Sequence, residues 1–260
     1  MPSPYSYSSL SLFENCPQAY AHRYVWKTKV LDEDTSLDLY MTTGSVVHTA
    51  LEWAHQQALD KKITNVEQAM EQLPLIWKTA LAESPHPIPE ESLAPFLEKS
   101  MANIKWYFLE LFEKEKGATI AVEKKLMYPL NPRAKQWLLG FVDRVSQPHE
   151  TKIVIHDYKT GSSKMGTKAL SKDFQAMLYG AMAANHYKPL SEVELQWHYL
   201  SHEKTTTITL EPEAAREAIS KAQRIANKLE AHKQVGLFPT NVGWQCGRCE
   251  YASVCPAQKK

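Results

Sequence analysis

The chain of 260 residues is 43% hydrophobic and carries a formal net charge of +1, enough apolar content for one large domain with a sizeable core, with or without an insertion. No window approaches the about eighteen consecutive apolar residues of a membrane span, and the opening MPSPYSYSSL lacks the charged-then-apolar order of a secretory leader, so no membrane is expected as a partner and the expected location is cytoplasmic. The charge is uneven: residues 1–123 carry 10 Lys+Arg against 17 Asp+Glu, residues 124–204 carry 12 against 7, and residues 205–260 carry 8 against 5, and a basic second half suits a polyanionic partner.

The segment 5–24 places serines ahead of an apolar run, which predicts a helix start, and its Cys16-Pro17 step ends or kinks that helix. Its aromatic residues read as core or as a base-stacking surface. Asp32-Glu33-Asp34 reads as an exposed loop. From Gly44 the pattern GSVVHTALEWAHQQALDKK predicts a helix with Val47, Leu51, Ala54 and Ala58 on its apolar stripe and His48 and Glu52 sharing a face. A lone histidine in that setting is ordinarily structural, and His55 is read so. Residues 62–117 predict two or three amphipathic helices broken around Pro85, Pro87 and Pro89. They form a helical insertion able to cover or narrow a substrate groove, with Trp106, Tyr107, Phe108 and Phe112 as core.

Three strands follow, at 118–128, 136–146 and 151–158, the last two joined through the turn-prone Gln147-Pro148-His149-Glu150. Alternation sends Asp157 and Lys159 from one face of the third strand and Tyr158 from the other. An isolated D-x-K is most often an ion pair at a strand end. Here Asp157 closes a run of β-branched residues, where an ionised carboxylate needs a cation or hydrogen bonds to offset desolvation. With Asp143 on the neighbouring strand, a site for Mg²⁺ or Mn²⁺ and a phosphate becomes plausible, because hard cations take few carboxylate oxygens and leave room for water and substrate. Glu123, on the first strand beside Lys124 and Lys125, reads from the residues alone as an ordinary exposed glutamate. From Ala169 a helix is predicted, with Lys168, Lys172, Gln175 and Tyr179 at offsets 0, 4, 7 and 11 along one stripe that could track a phosphate backbone. Strands at 193–200 and 205–210 and a long helix at 211–235, with Pro212 in its first turn, complete the main body.

The tail GWQCGRCEYASVCPAQKK spaces Cys246, Cys249 and Cys255 as C-x2-C-x5-C. In a chain expected to be cytoplasmic these thiols point to a metal centre rather than disulfides, and Cys16 is the one other cysteine that could complete it. Four thiolates admit structural zinc or an iron–sulfur cluster.

With GFVDRV and IHDYKTG in view, the chain resembles the RecB-like branch of the PD-(D/E)xK nucleases, most closely the iron–sulfur exonucleases found with CRISPR systems and in bacterial helicase-nucleases. The resemblance covers most of the chain. It implies an α/β fold, a restriction-endonuclease-like central mixed sheet flanked by helices, with the 62–117 insertion and with 236–260 plus Cys16 forming a cluster cap that joins the two ends of a single nuclease domain, 1–260. The GxxxH of Gly44 to His48 is similar to the family's histidine motif, and Gln175 to Tyr179 to its QxxxY motif. Carried over, His48, Asp143, Asp157 and the Tyr158 backbone carbonyl hold Mg²⁺ or Mn²⁺. Asp143, Asp157 and Lys159 serve catalysis, Gln175, Tyr179, Lys168 and Lys172 contact DNA, and Cys16, Cys246, Cys249 and Cys255 hold a [4Fe–4S] cluster, with zinc as the alternative. The implied activity is a metal-dependent DNA exonuclease preferring single-stranded ends, in recombination, repair, phage or CRISPR-related processing, with a helicase or recombination partner. The rival readings are a non-catalytic DNA-end-binding subunit of a helicase-nuclease complex and a zinc-stapled interaction protein.

Overall fold

The computed structural model describes residues 4–30, 35–62, 64–83, 92–115 and 118–258. Asp32-Glu33-Asp34 and the proline break at Pro85, Pro87 and Pro89 lie outside them. Helix α1 (Tyr7–Asn15) starts at a reciprocal cap between Ser6 and Ser9 and ends before α2 (Pro17–Tyr20), whose Pro17 occupies a first-turn position that needs no N–H. Three longer helices follow: α3 (Thr35–Leu59), α4 (Val66–Ala82) and α5 (Ala94–Tyr107), the last continued by a π-helical turn, Phe108–Phe112, and the short α6 (Glu113–Glu115).

The strands are β1 (Thr119–Asn131), β2 (Gln136–His149), β3 (Lys152–Lys159), β4 (Glu192–Tyr199) and β5 (Lys204–Thr209). They form one sheet in sequence order in which β3 and β4 are parallel and the other neighbours antiparallel. A parallel pair needs a crossover, and α7 (Thr167–Leu170) with α8 (Phe174–His186) supply it. Helix α9 (Pro212–Val235) closes on Gly236 at φ +67°, the left-handed cap that glycine adopts without a Cβ clash.

Around β3 and the C-terminal half of β4 the sheet is buried on both faces. On one, Leu126, Val142, Ile155, Leu195 and Trp197 pack with α1, α8 and α9; on the other, Tyr158 and Leu200 join Val47, Leu51, Leu73, Trp77 and Ile104 of α3, α4 and α5. Each fully buried Leu or Ile contributes about 1.5–3 kcal/mol. Tyr5, Phe13 and Tyr20 belong to the first core, which resolves the two readings of those opening aromatics toward packing, while Tyr24 stays exposed. Tyr107, Phe108 and Phe112 are core, with Trp106 packed at its edge.

Two expectations are corrected. Helix α3 begins at Thr35 rather than Gly44, and Gly44 lies inside it because a Cβ there would sit 3.2 Å from Thr160 Oγ1. The single helix from Ala169 is two helices. Asp173, extended at ψ 128°, caps α8 by accepting from Ala176 N at 2.9 Å, so Lys168 and Lys172 fall outside the helix that carries Gln175 and Tyr179.

A polar seam crosses the second core. Arg144, fully buried on β2, ion-pairs with Glu115, donates to Thr119 Oγ1 at 3.3 Å and donates to His156 Nδ1 at 2.7 Å. That donation fixes the His156 tautomer, so its Nε2–H donates to Ser146 Oγ at 2.8 Å. His156 Nδ1 also lies 2.9 Å from His198 Nε2, and His198 Nδ1 lies 2.9 Å from Thr205 Oγ1. His55 bridges Tyr107 Oη at 2.8 Å and Thr119 Oγ1 at 3.0 Å. Its structural reading therefore has named partners.

Burial first, and the Arg144 charge second, hold the His55, His156 and His198 imidazoles well below the usual histidine value. Below about pH 6.5 the unfolded chain therefore binds more protons than the folded one, so stability present above that pH is lost as the pH falls, by about 1.4 kcal/mol per unit for each such histidine. His48→Gln, Asp157→Asn and Glu123→Gln together remove groups whose raised values favour the folded state in acid and so offset the loss. In that background, urea unfolding at pH 7.5 and 5.5 should give a lower midpoint at the acid value, and an unchanged midpoint would contradict the neutral seam.

Candidate active site

The site lies where two strands part. β2 and β3 pair through Ser146↔Val154, Val145↔Ile155 and Arg144↔His156, and the ladder then stops, although β3 continues to pair with β4 as far as Lys159↔Tyr199. At the fork Asp143 Oδ2 accepts from the Tyr158 backbone N–H at 2.7 Å, replacing the lost strand partner with a charge-assisted bond. Asp157 stays buried beside it, and its Oδ2 is 2.6 Å from Lys159 Nζ.

Neighbouring elements close on the fork. Helix α3 brings His48 Nδ1 to 3.3 Å from Asp143 Oδ1. From α8, Gln175 Oε1 accepts from Lys159 Nζ at 3.2 Å, and Tyr179 is hydrogen-bonded to Gln175. Tyr179 reaches β2 because residue 140 is glycine: a Cβ there would meet the Tyr179 ring at 3.0 Å. Glu123 on β1 completes a group in which one ligand atom each from His48, Glu123 and Asp143 lies within 4.8 Å of the others. Its backbone is in the left-handed region at φ +42°, uncommon for a glutamate and of the kind that clusters at binding sites.

Electrostatics follow from crowding two carboxylates in a dry fork. Burial and then the Asp143 charge raise the Asp157 carboxyl to about 7, although Lys159 opposes them. Burial works against a charged His48, but the Asp143 carboxylate outweighs it and lifts His48 to about 9. Burial, with Asp143 and Glu52 adding to it, also raises the Glu123 carboxyl. Imidazole plus carboxylate oxygens, with anionic charge in excess of its own cations, fit a hard divalent ion.

A second group, Glu115, His156 and His198, also brings ligand atoms within 4.8 Å of one another. Arg144 already fills it, so an added cation there would face a guanidinium. These seam residues escaped the sequence reading. The signal available was a charged residue and two histidines inside strands otherwise built for burial.

Cys16, Cys246, Cys249 and Cys255 all line one cavity of about 210 Å³ to which no residue of the fork contributes, and none of the four is in a disulfide. Burial raises the Cys249 thiol, and the fields of Cys16, Cys255 and Cys246 add to it. Four sulfurs from both ends of the chain thus border one space, a donor set that fits tetrahedral zinc or a cluster. The residues singled out from the sequence therefore fall into three places: His48, Asp143, Asp157, Tyr158, Lys159, Gln175 and Tyr179 at the fork, the cysteines at the cavity, and Lys168 and Lys172 exposed on the crossover. Among the described residues no helix is long and apolar enough to cross a membrane.

No curated protein matches the chain significantly. Among solved structures, a protein from Eubacterium rectale named "Putative exonuclease" is similar with 12% identity and a TM-score of 0.57, over 95% of this chain and 87% of that one. At such identity the likeness shows the fold alone. SSO0001 is similar with 14% identity and a TM-score of 0.41, over 87% of this chain and 97% of that one. The profile of the PD-(D/E)XK nuclease superfamily matches residues 4–256, and the chain belongs to that superfamily.

Proposed function

We propose that the chain is a divalent-metal-dependent deoxyribonuclease of the RecB-like branch that shortens DNA from its ends, preferring single strands. The observation that carries this reading is the convergence of His48, Asp143, Asp157 and Lys159 at the point where β2 and β3 stop pairing. Nuclease membership makes DNA the substrate class.

In this reading His48, Asp143, Asp157 and the Tyr158 carbonyl hold Mg²⁺ or Mn²⁺, with Glu123 beside them. Such an ion, when bound, supplies Lewis-acid polarisation of the scissile phosphate and a more acidic water. The chain's own groups do the positioning. Lys159, steadied by Asp157 and by Gln175 Oε1 at 3.2 Å, presents an ammonium where charge grows on the phosphate. Tyr158, held by Asp143 through its N–H, keeps β3 extended, so Asp157 and Lys159 leave the same edge. Gln175 and Tyr179 orient the DNA, with Lys168 and Lys172 as outlying phosphate contacts.

Residues 1–260 are read as one nuclease domain, 62–117 as a helical insertion and 236–260 with Cys16 as a metal module. A [4Fe–4S] cluster at the four thiols would clamp the two ends of the chain and act structurally. A non-catalytic DNA-end-binding role is the rival; it gives no account of Lys159, which such a subunit does not require.

Asp157→Asn should lower the cleavage rate by roughly a thousandfold, the several kcal/mol a bound cation contributes. It should leave the urea midpoint no lower, because it removes the Asp143 repulsion. Lys159→Ala should cost about 10²–10³-fold. Single-stranded DNA labelled separately at each end, digested with Mg²⁺, Mn²⁺ or EDTA, checks both, and retained cleavage by either variant would refute the assignment.

Anaerobically purified protein should be coloured and hold about four iron atoms per chain. Cys246→Ser should lose the metal and lower the thermal midpoint. A colourless protein carrying zinc would replace the cluster with a structural zinc site.

A further inference from the structure

The hairpin of β1 and β2 runs on past the fork, and its two faces differ. Leu126, Leu138, Gly140 and Val142 face inward, against the core or α8. The opposite face carries the cross-strand pairs Lys125↔Phe141, Met127↔Leu139 and Pro129↔Trp137. It is open: Phe141 is 50% exposed, Met127 44% and Trp137 39%. Strand periodicity sets Phe141 two residues from Asp143, about 7 Å along β2, and Trp137 about 14 Å beyond it. The apolar strip thus begins at the site and leads away from it.

Its charge is one-sided. Residues 124–142 hold Lys124, Lys125, Arg133 and Lys135 and no acidic residue. Among the described residues none of these four is in an ion pair. Arg133 and Lys135 lie exposed at the turn, and Lys125 flanks Phe141. Exposed rings interleaved with cations suit a strand whose bases are unpaired, because every base offers a π-face and every linkage a phosphate. A duplex hides its base faces and can use only the cations.

We propose that this hairpin face is a stacking ramp for single-stranded DNA, with Phe141 and Trp137 as specificity-determining platforms that favour unpaired strands at the fork. The inference rests on the nuclease reading and names the substrate form it takes. Binding is measured in EDTA, so that metal-dependent cleavage cannot intervene, by fluorescence anisotropy with three labelled probes: a single strand, the same strand made abasic, and a duplex.

Phe141→Ala and Trp137→Ala should each weaken the single strand by about five- to a hundredfold, the worth of one stacked base, and leave the abasic strand and the duplex within about twofold. Phe141→Leu, which keeps apolar area without the ring, should lose affinity, while Phe141→Tyr should keep it. An unchanged single-strand affinity, or an equal loss on the abasic strand, overturns the ramp. Cleavage by the wild type with Mg²⁺ is scored separately. Cleavage combined with base-independent binding removes the ramp and leaves the nuclease reading. Base-dependent binding without cleavage keeps the ramp and removes the nuclease reading.

Discussion

The bond from Tyr158 N–H to Asp143 Oδ2, 2.7 Å long, is what the site depends on. Two strands that separate leave backbone groups without partners, and a buried orphan N–H costs about 1–3 kcal/mol. A carboxylate placed in the gap satisfies that N–H and fixes its own position. Asp143 thereby has one oxygen committed to the backbone and the other facing His48. Asp157, one residue before Tyr158, is then brought near a second negative charge that the fold does not let move away. The raised Asp157 carboxyl records its burial first and that confinement second.

The two faces of β3 divide the work. Alternation sends Asp157 and Lys159 toward α8, while His156 and Tyr158 turn toward α3 and α5. On that second face the Arg144 seam ties β2, β3, β4 and α6 together with hydrogen bonds whose partners are nearly all buried. Removing one member of such a network leaves a buried charge or donor uncompensated, so its geometry is stiff. Stiffness on one face of β3 limits how far the carboxylates on the other can drift. The Tyr107 and Tyr158 hydroxyls, 3.1 Å apart, join the seam to the residue that Asp143 grips.

Much of this was legible in the sequence because short-range rules set it. The strands at 118–128, 136–146 and 151–158 lie within the observed β1, β2 and β3 to within one residue, since apolar alternation marks them. The turn expected at 147–150 is corrected: β2 runs on through Gln147 and Pro148 to His149, which pairs with Lys152, and the chain turns at Glu150-Thr151. The mixed sheet flanked by helices agrees with the α/β expectation. The start of α3 was not legible: Gly44 reads as a helix boundary, and only the approach of Thr160 explains a glycine inside the helix. The break before α8 was missed because Asp173 reads equally well as a helix-surface residue and as a cap. His48, Asp143, Asp157, Lys159 and Gln175 could be named as a set from motif spacing, yet the fork that gathers them is a loss of pairing, and periodicity carries no signal for that. The Arg144 seam was missed for a different reason. Its members come from α3, α6, β2, β3 and β4, and a polar residue inside a strand built for burial names no partner on another element.

The placement of the thiols follows the same logic of holding distant parts of the chain. Cys16 sits at the break between α1 and α2, and the other three cysteines follow α9, which packs against the first core beside α1. Asn241 Nδ2 donates to Asn15 O at 2.8 Å, and Gln18 N donates to Pro239 O at 3.2 Å, so the two ends already meet through the backbone next to the cavity. Arg23 adds an ion pair to Glu250. These contacts are mostly exposed, and exposed ion pairs contribute little. A group bound by all four sulfurs would therefore add to a preformed junction rather than create it. Loss of that group should loosen the ends and α1 before it reaches the fork, because the fork is held from the other side by α3 and the seam.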